Sequence, residues 1–379
     1  MARSPLTATR GLRVGIAGAL ASALVLTGCA AQDSAADPDT PDAPAAAVEP
    51  SLEFAGPNGE IPGALAELEL TADELVQVQE GDHTAAFVWH TSGDFVAAVE
   101  EGARARFEEL GIEVVASTQA NFDAGTQANN VQTVMALEPD IVVAIAVDPT
   151  SAATSFQPIL DQGSQLVIMT TPPEGYTAGE EFVSIVTEDL AKAGRANAEI
   201  LGDALGGEGE VGYLSFNANF WFTNQRDQSF KDWLAYSYPD ITIVEEQGFA
   251  DETATQAAAA AMIAKNPELK GIYVSWATAA QGVLAAIRAA GRTDIQIVTN
   301  DLDTTVAAAM NTGGNVAGMV GNGSLDIGAG LALAGAYGVL GKEAPALVAS
   351  DPTKVTKADL VEGWKADYGV EPPASVTGD

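Results

Sequence analysis

From residue 84 onward, short β-rich runs alternate with amphipathic stretches of helical spacing, and this alternation limits the fold more than any other feature. Strands are predicted at 85–89, 113–116, 141–147, 166–169, 182–186, 211–216, 241–244, 272–275, 295–299 and 316–320. Helices are predicted at 95–110, 124–137, 190–205, 223–236, 252–264, 277–290, 303–311 and 325–340. Continuous apolar runs of this length are typical of parallel strands covered on both faces, and the alternation favours right-handed crossovers.

Ten predicted strands are many for one small domain, and they divide into two sets of similar rhythm near residues 187–189. We therefore predict an α/β fold with two doubly wound parallel-sheet lobes. In such sheets ligands bind outside the carboxyl ends of the strands, and two lobes can direct those ends at one cleft. A hinge that closes on a ligand is the expected mechanism.

Residues 1–28 have the pattern of a secretion signal. Arg3, Arg10 and Arg13 form a basic start, and the apolar run at 14–26 is too short to cross a bilayer, which needs about 20 residues. The run ends in Leu26-Thr27-Gly28-Cys29, which resembles the lipobox of bacterial lipoproteins. Because Cys29 is the only cysteine, it has no disulfide partner, and we expect it to be the lipid attachment site. The alternative is an ordinary signal peptide followed by a chance cysteine.

Residues 29–82 are rich in alanine, proline and acidic residues, with no lysine or arginine, and are predicted to be a tether. A short helix within 63–78 is an alternative for its second half. Removing residues 1–28 deletes three arginines and no acid, which takes the formal charge from −35 to −38. This charge excludes a nucleic-acid partner and argues against lying flat on anionic lipid. The expected location is extracytoplasmic, on the cell surface or in the periplasm, with membrane contact through the lipid anchor only.

Several short motifs in the folded body resemble one family in their order and spacing. They are Phe87-Val88-Trp89, Gly93-Asp94-Phe95, Glu101-Gly102-Ala103, Val147-Asp148-Pro149-Thr150, Thr187-Glu188-Asp189 through Gly194, Thr223-Asn224-Gln225-Arg226 with Phe230, and Thr299-Asn300-Asp301. Together, over about residues 83–345, they are similar to the type I periplasmic binding protein family, specifically the ribose/galactose-type sugar-binding proteins of ABC transporters.

The resemblance implies a three-stranded hinge between an N-terminal lobe at 83–187 plus 323–351 and a C-terminal lobe at 188–322 plus 352–379. It also implies capture of a monosaccharide and docking on an ABC permease, by a protein that we expect to be a monomer. A sensory receptor subunit, or a binding protein for a non-sugar solute, would have the same body. The sequence does not distinguish these roles.

Aromatic residues lie where the predicted strands end. A sugar has weakly polar C–H faces that pack on aromatic rings, and hydroxyls that need polar partners at the rim. Five residues are therefore candidates for ligand contact: Trp89, His90, Phe95, Trp221 and Trp276. Core packing is the alternative for each tryptophan, and His90 has turn capping as its alternative.

Polar candidates also follow the predicted strands. The resemblance implies that Arg226 bridges hydroxyls with its planar fork and that Asp301 accepts hydroxyl protons. Asp301 could instead cap the helix at 303–311, Asp148 could serve only in a turn, and Asn322 stands where the family commonly has glutamine. Thr171 lies where the family often has an Asp-Arg pair, and Trp276-Ala277 replaces an Asn-Asp pair, so a different pentose or a linear polyol is expected rather than ribose.

Signals of catalysis are missing from the sequence. There is no phosphate-binding loop, no dinucleotide fingerprint and no nucleophile elbow. The two histidines, His83 and His90, and a lipidated cysteine do not make a zinc site. We therefore predict a binding protein without catalytic residues, metal or cofactor.

Overall fold

The computed structural model describes residues 48–218 and 220–378, which contain two sheets. The strands of the first sheet are β1 (Gly63–Ala64), β2 (Thr84–Trp89), β3 (Glu113–Gln119), β4 (Ile141–Ala144), β5 (Gln165–Met169), β6 (Ile185–Glu188) and β12 (Leu347–Ser350). Those of the second are β7 (Glu208–Phe216), β8 (Asp240–Phe249), β9 (Leu269–Val274), β10 (Gln296–Asn300), β11 (Val316–Gly321) and β13 (Thr353–Thr356). We call the two sheets with their helices lobe 1 and lobe 2.

The strand order is β1-β12-β6-β5-β4-β2-β3 in lobe 1 and β13-β11-β10-β9-β7-β8 in lobe 2. Strand pairing is parallel in both sheets, apart from the antiparallel β11–β13 pair at the edge of lobe 2. In each sheet, one strand lies between two strands that both come later in the chain: β2 lies between β4 and β3, and β7 lies between β9 and β8. These strands, β2 and β7, therefore mark the topological switch points at which ligands bind in such sheets.

Thirteen helices in the described residues surround the sheets. They are α1 (Ala72–Gln79), α2 (Asp94–Glu109), α3 (Ala124–Met135), α4 (Pro149–Ser155), α5 (Gln157–Gln162), α6 (Leu190–Leu205), α7 (Trp221–Ser237), α8 (Thr255–Lys265), α9 (Ala277–Ala289), α10 (Thr304–Asn311), α11 (Ser324–Val339), α12 (Leu360–Tyr368) and α13 (Ala374–Thr377). Aspartates cap several of them, as when Asp189 accepts from the Lys192 backbone N–H at the start of α6.

The chain passes between the sheets three times, after β6, after β11 and between β12 and β13. The predicted fold class, with two doubly wound lobes and a three-stranded hinge, is confirmed. All ten predicted strands are present near their predicted positions. The strands without a prediction are β1, β12 and β13, which have two to four residues each and so carry too little pattern to be recognised.

Part of the segment predicted to be a tether is folded onto the lobes. Within residues 48–82, β1 pairs with β12, α1 begins at a capping box formed by Thr71 and Glu74, and Leu68 is buried. The acidic composition of this segment predicts disorder. Its leucines nevertheless pack on the core of lobe 1, and this burial of apolar surface orders the segment. The folded part therefore begins well before residue 82.

The predicted signal peptide and Cys29 lie outside the described residues. Among the residues that the structure describes, no helix combines the length and the apolar composition needed to cross a bilayer.

Candidate ligand-binding site

A cavity of about 100 Å³ lies between the lobes, at the carboxyl ends of the strands that form the two switch points. Lobe 1 contributes His90 after β2 and Ile145 after β4, and lobe 2 contributes Phe216 at the end of β7 and Trp276 after β9. A water molecule needs about 10–15 Å³ by this kind of measure, so the cavity has room for a small solute. Both topology and volume identify it as the candidate site.

Aromatic rings from both lobes line this cavity. Trp276 meets Phe216 edge to face at 5.0 Å between ring centroids, and Phe122 of lobe 1 stacks on Trp276 at 6.5 Å and 24°. Phe95, Phe220 and Phe222 complete the apolar lining. Flat, apolar surfaces of this kind fit the C–H faces of a small ring or chain. Contact between Phe122 and Trp276 also shows that the lobes are closed in this structure.

A second contact between the lobes lies at the rim of the cavity. The Asp94 carboxylate at the start of α2 accepts from the backbone N–H of Thr304 at 3.1 Å and from its hydroxyl at 2.8 Å. Thr304 begins α10 of lobe 2, so this carboxylate joins the first turns of two helices on opposite lobes.

Arg226 lines the cavity from α7 with its guanidinium buried and largely occupied. It donates to Glu188 Oε1 at 2.7 Å and to the Ser275 carbonyl at 2.5 Å, while Nε has no hydrogen-bond partner among the described residues. Burial raises the pKa of Glu188 to about 7, although the neighbouring guanidinium opposes the rise. Two of the three guanidinium nitrogens thus already donate to protein groups. Arg226 therefore has fewer N–H groups left to donate to a ligand than a free guanidinium has.

Asp301 follows β10 and is held in place by Asn322. The Asn322 amide donates to Asp301 Oδ1 at 2.7 Å, which leaves Oδ2 without a described protein donor. Burial raises the pKa of Asp301 to about 6. Asn322 does not line the cavity itself, so its role in the structure is to position the carboxylate.

Three further carboxylates line the cavity, and their charges act on one another: Asp94, Glu252 and Asp303, which we call the acidic end. Glu252 accepts from the Trp276 indole N–H, and Asp303 accepts from the Gln281 amide at 2.8 Å while capping α10. Their protein partners are neutral donors. Burial raises the pKa of both Glu252 and Asp303.

His90 lines the cavity as a neutral ring. Burial lowers its pKa to about 4, and its Nδ1 has no hydrogen-bond partner among the described residues. The ring meets Phe122 edge to face at 5.1 Å. An unpaired ring nitrogen beside a cavity is a candidate partner for a ligand hydroxyl.

Half of the predicted ligand residues line the cavity: His90, Phe95, Arg226, Trp276 and Asp301. Trp89 does not, because its side chain stacks on Phe87 at 5.2 Å in the core of lobe 1 and its indole donates to Glu100. Asp148 instead caps α4 by accepting from the Ser151 backbone N–H.

Asp148, Thr171 and Trp221 lie together in a neighbouring groove, which Phe216 and Phe220 separate from the cavity. Trp221 begins α7 but is directed away from the cavity, and its indole donates to the Ala55 carbonyl at 3.1 Å. Residues 222, 223 and 226 share the cavity face of α7, while 221, 225 and 228 face the groove, as helical spacing requires.

The sequence prediction did not include Phe122, Phe216, Phe220, Phe222 or the acidic end as ligand contacts. Phe222 could have been predicted from the sequence, since it lies four residues before Arg226 on the same helical face. Phe216 ends a predicted strand and is also accessible to that reasoning. Phe122 stands in a loop after β3, where local sequence carries no signal for its direction.

Strained backbone is concentrated at this cavity. Six non-glycine residues of the described chain have positive φ, and three of them line the cavity: Phe122 at 59°, Thr170 at 65° and Asp301 at 66°. Such conformations cost about 1–3 kcal/mol each and persist where the surrounding structure holds a binding group in place. This distribution marks the cavity as a functional site independently of its shape.

Comparison with known proteins identifies the same part of the chain as the folded body and assigns it the same fold. The sequence profile of the family described as "Periplasmic binding protein domain" matches residues 85–343. The chain is 25% identical over 277 residues to the xylitol-binding protein of Mycolicibacterium smegmatis, an alignment that covers 70% of this chain and 73% of that protein. It is 26% identical over 206 residues to the D-ribose/D-allose-binding protein of Pseudomonas aeruginosa, covering 53% and 64%.

Solved structures share the architecture at lower identity. An ABC transporter solute-binding protein from Agrobacterium vitis, bound with α-D-tagatopyranose, has a TM-score of 0.68 at 22% identity and covers 76% of this chain and 98% of its own. One from Mycobacterium smegmatis with bound glycerol has a TM-score of 0.65 at 23% identity, covering 74% and 96%. At these identities the likeness establishes the fold. The family profile spans more than half of the chain, and the protein belongs to the type I periplasmic binding protein family.

Proposed function

We propose that this protein is the extracytoplasmic solute-binding component of an ABC importer, and that it captures a pentose-like monosaccharide or a sugar alcohol between its lobes. The observation that carries the proposal is the cavity between the lobes, in which Trp276 and Phe122 from opposite lobes meet while Asp301 and Arg226 supply polar groups. The xylitol-binding and D-ribose/D-allose-binding relatives support this class of solute.

The ligand in this proposal binds to an open form and is enclosed when the lobes close. Asp94 and Thr304 then form the contact between lobes at the rim, and the aromatic rings pack against the ligand. Closure around a solute presents a single surface made from both lobes, which a permease can distinguish from the open form. No step in this role changes a covalent bond.

A thermal-shift screen of pentoses, pentitols and hexoses tests the proposal. A ligand at 100 times its dissociation constant adds about 2.7 kcal/mol to the free energy of unfolding, which is readily measured as an increase in Tm. We expect at least one pentose or pentitol to stabilise the protein. An unchanged Tm across the whole panel, confirmed by calorimetry, would contradict it.

The proposal includes a lipid anchor at Cys29 that attaches the protein, acting as a monomer, to the outer face of the cell membrane. Its support is the lipobox-like sequence Leu26-Thr27-Gly28-Cys29. We expect the wild-type protein to sediment with membranes and Cys29→Ser to be released into the soluble extracytoplasmic fraction. Retention of Cys29→Ser in the membrane fraction would remove the anchor from the proposal.

A further inference from the structure

The charges that line the cavity do not balance. Arg226 is the cationic residue of the lining, and its charge is already paired with Glu188. Four carboxylates line the same cavity: Asp94, Glu252, Asp301 and Asp303. His90 does not offset them, since burial holds its pKa at about 4 and the ring is neutral near pH 7.

The excess of negative charge is greatest at the acidic end of the cavity. Glu252 accepts from the Trp276 indole, Asp303 from the Gln281 amide and Asp94 from Thr304, so each carboxylate has neutral donors as its protein partners. Hydrogen bonds from neutral groups compensate a buried carboxylate less than a cation does. The raised pKa of Glu252 and of Asp303 reports this uncompensated burial.

The geometry at Glu252 fits a compact cation better than a metal ion. No group of three or more acidic, histidine or cysteine ligands within the described residues could hold a metal. Glu252 Oε1 accepts from the Trp276 indole N–H, while Oε2 has no hydrogen-bond donor among the described residues. An ammonium group is a stronger partner for such a carboxylate oxygen than a hydroxyl is, because its hydrogen bond is charge-assisted.

Building on the proposed function, we infer that the cavity prefers a polyol that carries a protonated amine over the same polyol with a hydroxyl, and that it rejects the same polyol with a carboxylate. The ammonium lies at the acidic end, next to Glu252 and Trp276, and the hydroxyls extend toward Asp301 and Arg226. A ligand carboxylate at the acidic end meets three like charges, of which Asp303 is buried and Glu252 half-buried, so such a ligand is bound weakly.

Calorimetry at pH 7.5 with matched compounds tests this inference. The five-carbon series is xylitol, 1-amino-1-deoxyxylitol and xylonate, and the six-carbon series is sorbitol, glucamine and gluconate; the members of a series differ only in one end group. A charged hydrogen bond exceeds a neutral one by about 1.4 kcal/mol, which is about ten-fold in affinity. We expect the amine to bind at least about ten-fold more tightly than the alcohol, and the acid at least about ten-fold more weakly.

Glu252→Gln should bring the amine-to-alcohol affinity ratio close to one. Glu180→Gln is the matched control, because it removes the same charge from an exposed position remote from the cavity and should leave the ratio unchanged. In the wild-type protein the ratio should also fall as the pH is lowered, since Glu252 and Asp303, whose pKa values are raised by burial, become protonated. This second measurement stands even if Glu252→Gln fails to fold.

Each outcome has one meaning for the inference. Binding of the alcohol as tight as that of the amine, or equal binding of the acid, overturns the inference while leaving the proposed function intact. Binding of the amine alone supports the inference and removes neutral polyols from the proposed function. The absence of binding by all six compounds, together with an unchanged Tm across the sugar screen, overturns both.

Discussion

Arg226 donates to the Glu188 carboxylate at 2.7 Å, and this buried ion pair joins the ligand cavity to the hinge. Glu188 is the last residue of β6, at the first passage between lobes, whereas Arg226 lies on the cavity face of α7 in lobe 2. A side chain that lines the cavity is therefore fixed by the strand about which the lobes move. Changes at either residue should alter stability as well as binding.

Removing one partner of this pair should be more harmful than removing both. Breaking a buried ion pair costs about 3–5 kcal/mol, because the remaining group stays buried without its partner. We expect Arg226→Met to lose about that free energy of unfolding in urea denaturation. The double variant Arg226→Met/Glu188→Gln should recover a substantial part of the loss. Equal destabilisation of single and double variants would show that the pair is not the dominant interaction.

The stability of the protein should depend on pH through Glu188. Its pKa is raised from 4.5 to about 7 by burial, so the folded state binds this proton more tightly than the unfolded state. This contribution is complete below pH 4.5 and is lost as the pH rises through about 7. A shift of this size corresponds to about 3 kcal/mol.

Glu188→Gln isolates that effect, since glutamine does not titrate. The free energy of unfolding of the wild type, taken relative to Glu188→Gln, should decrease by about 3 kcal/mol between pH 4.5 and 7.5. Urea denaturation across this range provides the measurement. Parallel pH profiles for the two proteins would show that Glu188 has an ordinary pKa.

Asp301 and Asp148 form a matched pair of aspartates that follow strands. Asp301 lines the cavity, so Asp301→Ala should weaken ligand binding by about 1.5–3 kcal/mol, the value of a hydrogen bond to a charged group. Asp148→Ala should cost about 1 kcal/mol of stability through loss of the α4 cap, with no change in affinity beyond two-fold. Calorimetric titration with the ligand found by the thermal-shift screen measures both, and equal effects on affinity would contradict this assignment.

Tryptophan fluorescence should report on ligand binding through Trp276. Its indole lines the cavity, whereas Trp221 lies in the neighbouring groove and Trp89 in the core of lobe 1. We expect the ligand-induced change in emission to be lost in Trp276→Phe and kept in Trp221→Phe. Affinity should fall by about 0.5–1.5 kcal/mol in Trp276→Phe alone. A signal that survives in Trp276→Phe would place the ligand elsewhere.

The sequence was sufficient to predict the fold and the edge of the sheets at which the site lies. Period and length of the apolar runs identify the strands, and parallel winding then directs their carboxyl ends to one cleft. Trp276, Asp301 and His90 follow directly from this rule, because each comes within two residues of the end of a strand.

The direction of each side chain required more than the position of its strand end. Trp89 is the last residue of β2 and shares the face of Phe87, two residues earlier, which leads into the core. Trp221 is one helical position away from the cavity face of α7. Phe122 reaches the cavity through a positive φ of 59°, a conformation that a bulky residue rarely adopts and that local sequence does not indicate.

Residues 48–62 have a consequence for how far the lobes can separate. Leu52 packs on the core of lobe 2, Phe54 and Trp221 lie side by side at 6.2 Å, and β1 is part of the sheet of lobe 1. The N-terminal segment thus runs from one lobe to the other. The ten residues between Leu52 and Gly63 can extend to about 33–36 Å, so their length permits wide opening. Phe54 and Trp221 also pack on the core of lobe 1, and opening separates this packing. The stretch of chain nearest the predicted membrane anchor therefore rearranges whenever the cleft admits or releases its solute.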